Sequence, residues 1–181
     1  CTIEELCCGA LAGKPEGRCL DKLRTIHDAT LSNVNKWIRL HMTEKTTAPG
    51  LHDLLYAIHH SGRKDITLLK LDITKAHRRI KVLQKDWKYI AARTTTDEGE
   101  EIWLNTCGTY GVASAQIYWG RLAALVLRLL YQVFPDIIWA FVYVDDFIFI
   151  LPAAAAHTLS MAIIAFLHST GCPLSWKKTS T

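Results

Sequence analysis

Residues 137–151 read IIWAFVYVDDFIFIL, and no other stretch of the chain limits the fold as tightly. Two runs rich in β-branched and aromatic residues flank a pair of adjacent acids, Asp145 and Asp146. Such flanks favour strands, and a tight connection through the acidic pair predicts a β-hairpin with both carboxylates at its tip. Acids are common in turns, so a plain solvent-facing hairpin is the competing reading. Here, however, the turn residues lie inside an almost wholly apolar segment, which predicts strands buried on both faces. Two carboxylates near a buried sheet repel each other and must be protonated, hydrogen-bonded or compensated by cations. A divalent metal is the simplest compensation, and hard oxygen ligands select magnesium or manganese over zinc.

A magnesium site of this kind wants a third acid. Asp72 is the best candidate, in ITLLKLDITKAHRRIKV over residues 66–82. The run ITLLKL is strand-like up to the aspartate, after which TKAHRR changes character. Asp72 is therefore expected at the end of a buried strand, where its carboxylate meets the hairpin tip. Three acids gathered in this way hold two metals roughly 3.5–4 Å apart, the arrangement that clamps attacking and leaving oxygens in phosphoryl transfer.

Tyr143-Val144-Asp145-Asp146 resembles the YxDD box of reverse transcriptases, and KLDITKAHRRI is similar to the preceding acidic motif of the same enzymes. The order along the chain, single aspartate first and paired aspartates later, also matches. The resemblance implies an RNA-directed DNA polymerase of α+β class with a right-hand fold: a palm, made of an antiparallel sheet backed by helices, and partial fingers. It places a fingers part and a leading helix in residues 1–65. The palm falls in 66–181, with an inserted hairpin at about 86–106 and no thumb. The implied catalytic residues are Asp72, Asp145 and Asp146. The implied cofactor is a pair of Mg2+ ions, with Mn2+ as a substitute, held by these acids and the backbone carbonyl of Ile73. The implied partners are an RNA or DNA template with its primer, and dNTPs.

Other segments extend the likeness over residues 20–181. KLRTIHDATLSNVN is similar to a finger motif in which Arg24 falls where the family contacts the incoming triphosphate and Asp28 where it braces the finger strands. A planar guanidinium suits that task because it donates two hydrogen bonds to phosphate oxygens. Thr30 stands where retroviral relatives often carry a second arginine. The resemblance puts the side chain at position 77 beneath the sugar of the incoming nucleotide, where most relatives have Phe or Tyr and this chain has His77. Tyr110-Gly111-Val112-Ala113-Ser114-Ala115 resembles the FGLxSAP segment of retroelement enzymes, especially those of tyrosine-recombinase-encoding retrotransposons, with Gln116 in place of the proline. Tyr110 and Gly111 are thereby assigned to nucleotide binding. In GCPLSWKKTST, Lys178 matches the lysine that follows the palm helix, with Lys177 as the alternative; a lysine there serves as general acid toward pyrophosphate. Arg78 and Arg79 either contact template or primer phosphates or form a solvated face.

The chain of 181 residues is half hydrophobic, enough for one sizeable core or two small lobes, and its net charge of +4 is compatible with nucleic acid without being diagnostic. Six cysteines, at positions 1, 7, 8, 19, 107 and 172, form no CxxC or zinc spacing, so reduced intracellular thiols are expected. No signal peptide is evident and the first residue is Cys1, so the chain reads as an intracellular, non-secreted fragment or processed piece. No uncharged apolar run reaches the ~18 residues of a membrane span. Leu51, Leu54, Leu55 and Ile58 predict a helix closed by Gly62, with His52, His59 and His60 at or near its surface. Leu122, Leu125, Val126, Leu129, Leu130 and Val133 predict a core-facing helical stripe. A further helix is expected over 153–168, with Pro152 in its first turn and Gly171 beyond its end. Residues 1–20, broken by Gly9, Gly13, Pro15 and Gly17, are expected to form a loop or an ill-ordered end, and residues 86–106 two strands joined through Asp97-Glu98-Gly99.

Two rival functions stand beside the polymerase. An RNA-dependent RNA polymerase usually shows GDD rather than YVDD and an aspartate near position 77. A catalytically decayed reverse-transcriptase-like domain that only binds nucleic acid would tolerate the departures at His77 and Gln116.

Overall fold

Apolar runs over 66–72 and 146–152 build one of two sheets in this mixed helix-and-sheet chain. The computed structural model describes residues 9–16 and 19–178, with side chains from His27 onward except those of Thr96 and Lys178. The chain divides into two compact units, one comprising the described residues up to Lys45 with His77–Tyr118, the other Thr46–Ala76 with Trp119 onward.

In the second unit, strands β3 (Ile66–Asp72), β6 (Trp139–Tyr143) and β7 (Asp146–Pro152) form an antiparallel sheet in the order β3-β7-β6. The register sets Leu69 against Phe149 and Leu71 against Phe147. These four side chains are fully buried and define the core face. Strand side chains alternate between faces, so Leu68, Lys70 and Asp72 share the other face with Asp146 and Ile148. Helices α3 (Ala115–Val133) and α4 (Ala156–Ser169) supply Trp119, Ala123, Val126, Leu130, Ile163 and Leu167 to the same core. Helix α2 (Leu51–His60) starts where Asp53 accepts a hydrogen bond of 2.7 Å from the Gly50 N–H and ends before Gly62, which takes a left-handed φ of 63°. Its Tyr56 meets Trp139 edge-on, and His52, His59 and His60 are exposed as expected.

Two expectations for this unit need correction. The α3 stripe is rotated: Val126 and Leu130 are buried, but Leu125, Leu129 and Val133 are 51%, 42% and 51% exposed. A helix this rich in leucine carries apolar residues on more than one face, so spacing alone leaves the buried one ambiguous, and Trp119 and Ala123 decide it. Pro152 ends β7 rather than opening a helix, and one 3-10 turn (Ala153–Ala155) precedes α4. Its fixed φ and missing N–H are equally suited to a strand end. Gly171, with φ 79°, does lie just past α4.

In the first unit, β1 (Gly9–Glu16), β2 (Cys19–Asp28), β4 (Ala91–Thr96) and β5 (Gly99–Leu104) form a sheet in the order β2-β1-β4-β5. Pairing is antiparallel except between β1 and β4, which run parallel through Gly9 and Ala10. Of the loop or ill-ordered end expected over residues 1–20, residues 9–16 and 19–20 are strand instead, and 1–8 and 17–18 lie outside the described residues. Glycines raised the cost of that strand without preventing a backbone ladder, and Pro15 lies beyond the stretch where β4 pairs with β1. The 86–106 hairpin exists, but its first strand starts at Ala91, after a 3-10 run over Gln84–Ile90. A short helix α1 (Val34–His41) follows β2. Cys107 and Cys172 are not in disulfides, and among the described residues no helix is long and apolar enough to cross a membrane.

Candidate active site

The acidic turn is a two-residue hairpin loop, because Tyr143 pairs with Asp146 and leaves Val144 and Asp145 between them. Only the first loop residue has positive φ, Val144 at 57°. Glycine ordinarily fills that position, and a side chain in the left-handed region costs roughly 1–2 kcal/mol. External contacts hold the turn. The indole N–H of Trp119 donates to the Val144 carbonyl, and the N–H of Ile73 donates to the Asp145 carbonyl at 2.9 Å.

The register carries β3 to the same place. Asp72 is the direct cross-strand partner of Asp146. Directly opposed residues have Cβ atoms roughly 4.5–5.5 Å apart. Asp72 is 5% exposed. Lys70, two residues earlier on the same face, reaches diagonally to Asp146 Oδ2 at 3.0 Å, while Asp146 Oδ1 is buried with no hydrogen-bond partner. Like charges set directly opposite each other disfavour a strand pair. Lys70, 44% exposed, compensates Asp146, and an exposed pair of this kind contributes about 1 kcal/mol at most.

The residues therefore fit a hard divalent cation in donor chemistry: carboxylate oxygens, one of them buried and without a hydrogen-bond partner. The Ile73 N–H faces Asp145, and in an extended chain the carbonyl of the same residue points to the same edge. Ile73 pairs on its other side as a bridge to Leu174, with Thr74 N–H to Pro173 O and Ser175 N–H to Asp72 O, both 2.9 Å. Among the described residues no group of three or more His, Cys, Asp or Glu side chains is arranged to hold a metal ion. The convergence of Asp72, Ile73, Asp145 and Asp146 is a main-chain one. Lys178 ends a 3-10 turn (Trp176–Lys178) beside β3; its side chain lies outside the described residues, and Lys177 is exposed.

The remaining candidates belong to the first unit. His77 is 6% exposed, with Nε2 3.1 Å from Gln116 Oε1 and its ring edge-on to Tyr110 at 4.8 Å between centroids. The two departures from the family pattern, His77 and Gln116, thus bond to each other. Gly108 packs on the His77 carbonyl so closely that a Cβ there would lie 2.5 Å from it. Gly111 has φ 95° and follows Tyr110, whose carbonyl accepts from His27 N–H at 3.3 Å. Sequence reasoning misses Asn35, yet it organises this segment. Its Nδ2 donates to Gly111 O at 2.6 Å, and its Oδ1 accepts from Ala113 N–H at 2.7 Å. It closes the segment KLRTIHDATLSNVN, in which sequence reasoning gives it no role. Asp28 closes the turn after β2 by accepting from Thr30 N–H at 2.9 Å. Arg24 sits on β2 opposite Lys14, and its side chain lies outside the described residues. Arg78 is exposed and Arg79 half-buried. Compared with known protein families and with curated proteins, the sequence matches none of them.

Proposed function

We propose that this chain is the fingers and palm portion of a reverse transcriptase, catalysing transfer of dNTPs to a primer 3′-hydroxyl on an RNA or DNA template. The observation that carries the reading is the register of β3 against β7, which sets Asp72 opposite Asp146 and bonds Ile73 to the Asp145 carbonyl. In this reading the three-stranded antiparallel sheet backed by α3 and α4 is the palm sheet. Asp72, Asp145, Asp146 and the Ile73 carbonyl hold two magnesium ions, with manganese as a substitute. When bound, the ions lower the pKa of the primer 3′-hydroxyl and neutralise charge on the transferred phosphoryl group.

The chain's own residues do the rest. The acids fix where positive charge accumulates, and Lys70 keeps Asp146 compensated when that charge is lacking. His77 presents a flat group toward the sugar of the incoming nucleotide, with Gln116 and Tyr110 fixing its ring. Gly111 lets backbone approach a base pair closely. Arg24 holds triphosphate oxygens, and Lys178 donates a proton to the leaving pyrophosphate. These nucleotide-holding roles are carried by the resemblance of their segments.

The test is magnesium-dependent primer extension on a homopolymer template. Asp145→Asn is expected to abolish incorporation while leaving the thermal unfolding transition in place; extension that survives in a folded Asp145→Asn protein overturns the mechanism.

A further inference from the structure

We propose that Trp119 is a positioning residue for the acidic turn: its indole N–H holds the Val144 peptide in the left-handed conformation, so that Asp146 stays opposite Asp72 and the Asp145 carbonyl stays on Ile73. The proposal deepens the metal-site reading and rests on it for its functional consequence.

Three observations converge. Trp119 is fully buried on α3, and an indole has one donor and no acceptor, so a buried tryptophan needs one well-placed carbonyl. The carbonyl it takes is that of Val144, inside the loop. Val144 is β-branched and sits at φ 57°, a conformation that it does not favour on its own. The loop has only two residues, and the carbonyl of the other is held by the residue after Asp72. Both tip carbonyls are thus fastened from outside the hairpin, one by the core and one by Ile73, the residue that follows β3. A glycine at 144 would hold positive φ unaided, whereas valine makes the turn depend on its fastenings. Removing the indole donor frees the Val144 peptide to rotate, which shifts the acids that follow it.

A tryptophan serving only as core filler predicts something different, because Trp119→Phe keeps an aromatic ring in place and loses the N–H. The experiment measures Mn2+ binding by the electron paramagnetic resonance signal of the free ion, primer extension, and metal-free thermal unfolding. These are read for the wild type, Trp119→Phe, Val144→Gly and the double variant. Trp119→Phe is expected to bind Mn2+ roughly tenfold more weakly and to lose about tenfold in kcat, with KM for dNTP within about twofold, the scale found when an outer support of a metal ligand is removed. In the Val144→Gly background, where positive φ needs no support, the same substitution is expected to cost about twofold or less.

Wild-type Mn2+ affinity in Trp119→Phe, or an equal loss in both backgrounds, overturns the proposal. If Trp119→Phe does not fold, 3-benzothienylalanine at position 119, which keeps the bicycle and lacks the N–H, takes its place in the same cycle. Should the wild type neither bind Mn2+ nor extend a primer, the metal reading fails. The bracing claim is then decided by unfolding alone: non-additive shifts for positions 119 and 144 support it, and additive shifts overturn it.

Discussion

Among the described residues two hairpins have two-residue acidic loops, and they are built in opposite ways. In β4–β5, Thr96 pairs with Gly99 across Asp97 and Glu98; in β6–β7, Tyr143 pairs with Asp146 across Val144 and Asp145. Residues 97–101 are all exposed, and Gly99 absorbs the positive φ. The other loop has no glycine, its strain falls on Val144, and its two carbonyls are bonded to Trp119 and Ile73. Water solvates the first pair of acids at no cost to the fold. The second pair is only partly open to solvent and sits against a strand that brings a third acid. The two loops differ in what holds their backbone and in the third acid that stands beside one of them.

The largest expected contrast is in activity. Asp146→Asn is expected to reduce magnesium-dependent primer extension by about a thousandfold or more, because it removes a charged ligand acting as part of a unit. Asp97→Asn, an equivalent change in the solvated loop, is expected to stay within twofold of wild type. Parallel kcat/KM measurements on the two variants check this, and equal losses would erase the distinction between the hairpins.

Exchanging the backbone chemistry of the two loops gives the next effect. A Cβ added at Gly99 would meet no atom within 4 Å, so Gly99→Val incurs only the backbone penalty of φ 129° and is expected to destabilise by about 2 kcal/mol. Val144→Gly relieves left-handed strain of roughly 1–2 kcal/mol but adds about 0.5–1 kcal/mol of backbone entropy. It is expected to change stability by less than about 1 kcal/mol. Denaturant unfolding of the two variants measures both.

The acidic hairpin and its partner strand were legible in the sequence because β-branched and aromatic flanks, an acidic pair between them and a lone aspartate ending a strand-like run all predicted one meeting point. Helix α2 and the residue that stops it were legible for similar reasons. The face of α3 was not, since leucines at 122, 125, 129 and 130 satisfy more than one stripe and only the packing of Trp119 and Ala123 selects between them. The hairpin formed by β1 and β2 was not legible either, because its first strand, GALAGKPE, has neither alternation nor β-branched residues. Within the site, the acids were readable but their supports were not. In the sequence Lys70 is an ordinary strand lysine, Trp119 a core residue and Asn35 a surface one. Each acquires its role from a partner far away in sequence, which spacing does not encode.

Lys70 gives a smaller and sharper test of how the acidic turn is compensated. Its ammonium lies 3.0 Å from Asp146 Oδ2, and the pair is partly open to solvent. Lys70→Met keeps the apolar stem and removes the charge. An ammonium on Asp146 competes with any other cation for the same oxygen, so Mn2+ affinity is expected to rise about two- to fivefold, while metal-free stability falls by about 0.2–1 kcal/mol. Isothermal titration with Mn2+ reads the first, and unfolding in chelator reads the second. A fall in affinity would mean that Lys70 supports the site instead of competing for it.

The smallest effect concerns a buried histidine in the first unit. His27 is 1% exposed, and neither ring nitrogen has a hydrogen-bond partner. Burial lowers its pKa from the ordinary 6.5, against a weaker upward pull from Asp28. The unfolded chain takes up the proton near that ordinary value, whereas the folded chain resists until a lower pH. Between the two the unfolded state binds more protons, so stability rises with pH across the window. This contribution is complete above the ordinary value, declines as pH falls toward the lowered folded value, and levels off below it. Thermal unfolding followed from about pH 7 to pH 5 is expected to show the decline. It should be absent in His27→Phe, where no group titrates, and present in Lys70→Met, whose charge does not change in that range. A pH profile identical in the wild type and His27→Phe would show that the acid sensitivity of the fold arises elsewhere.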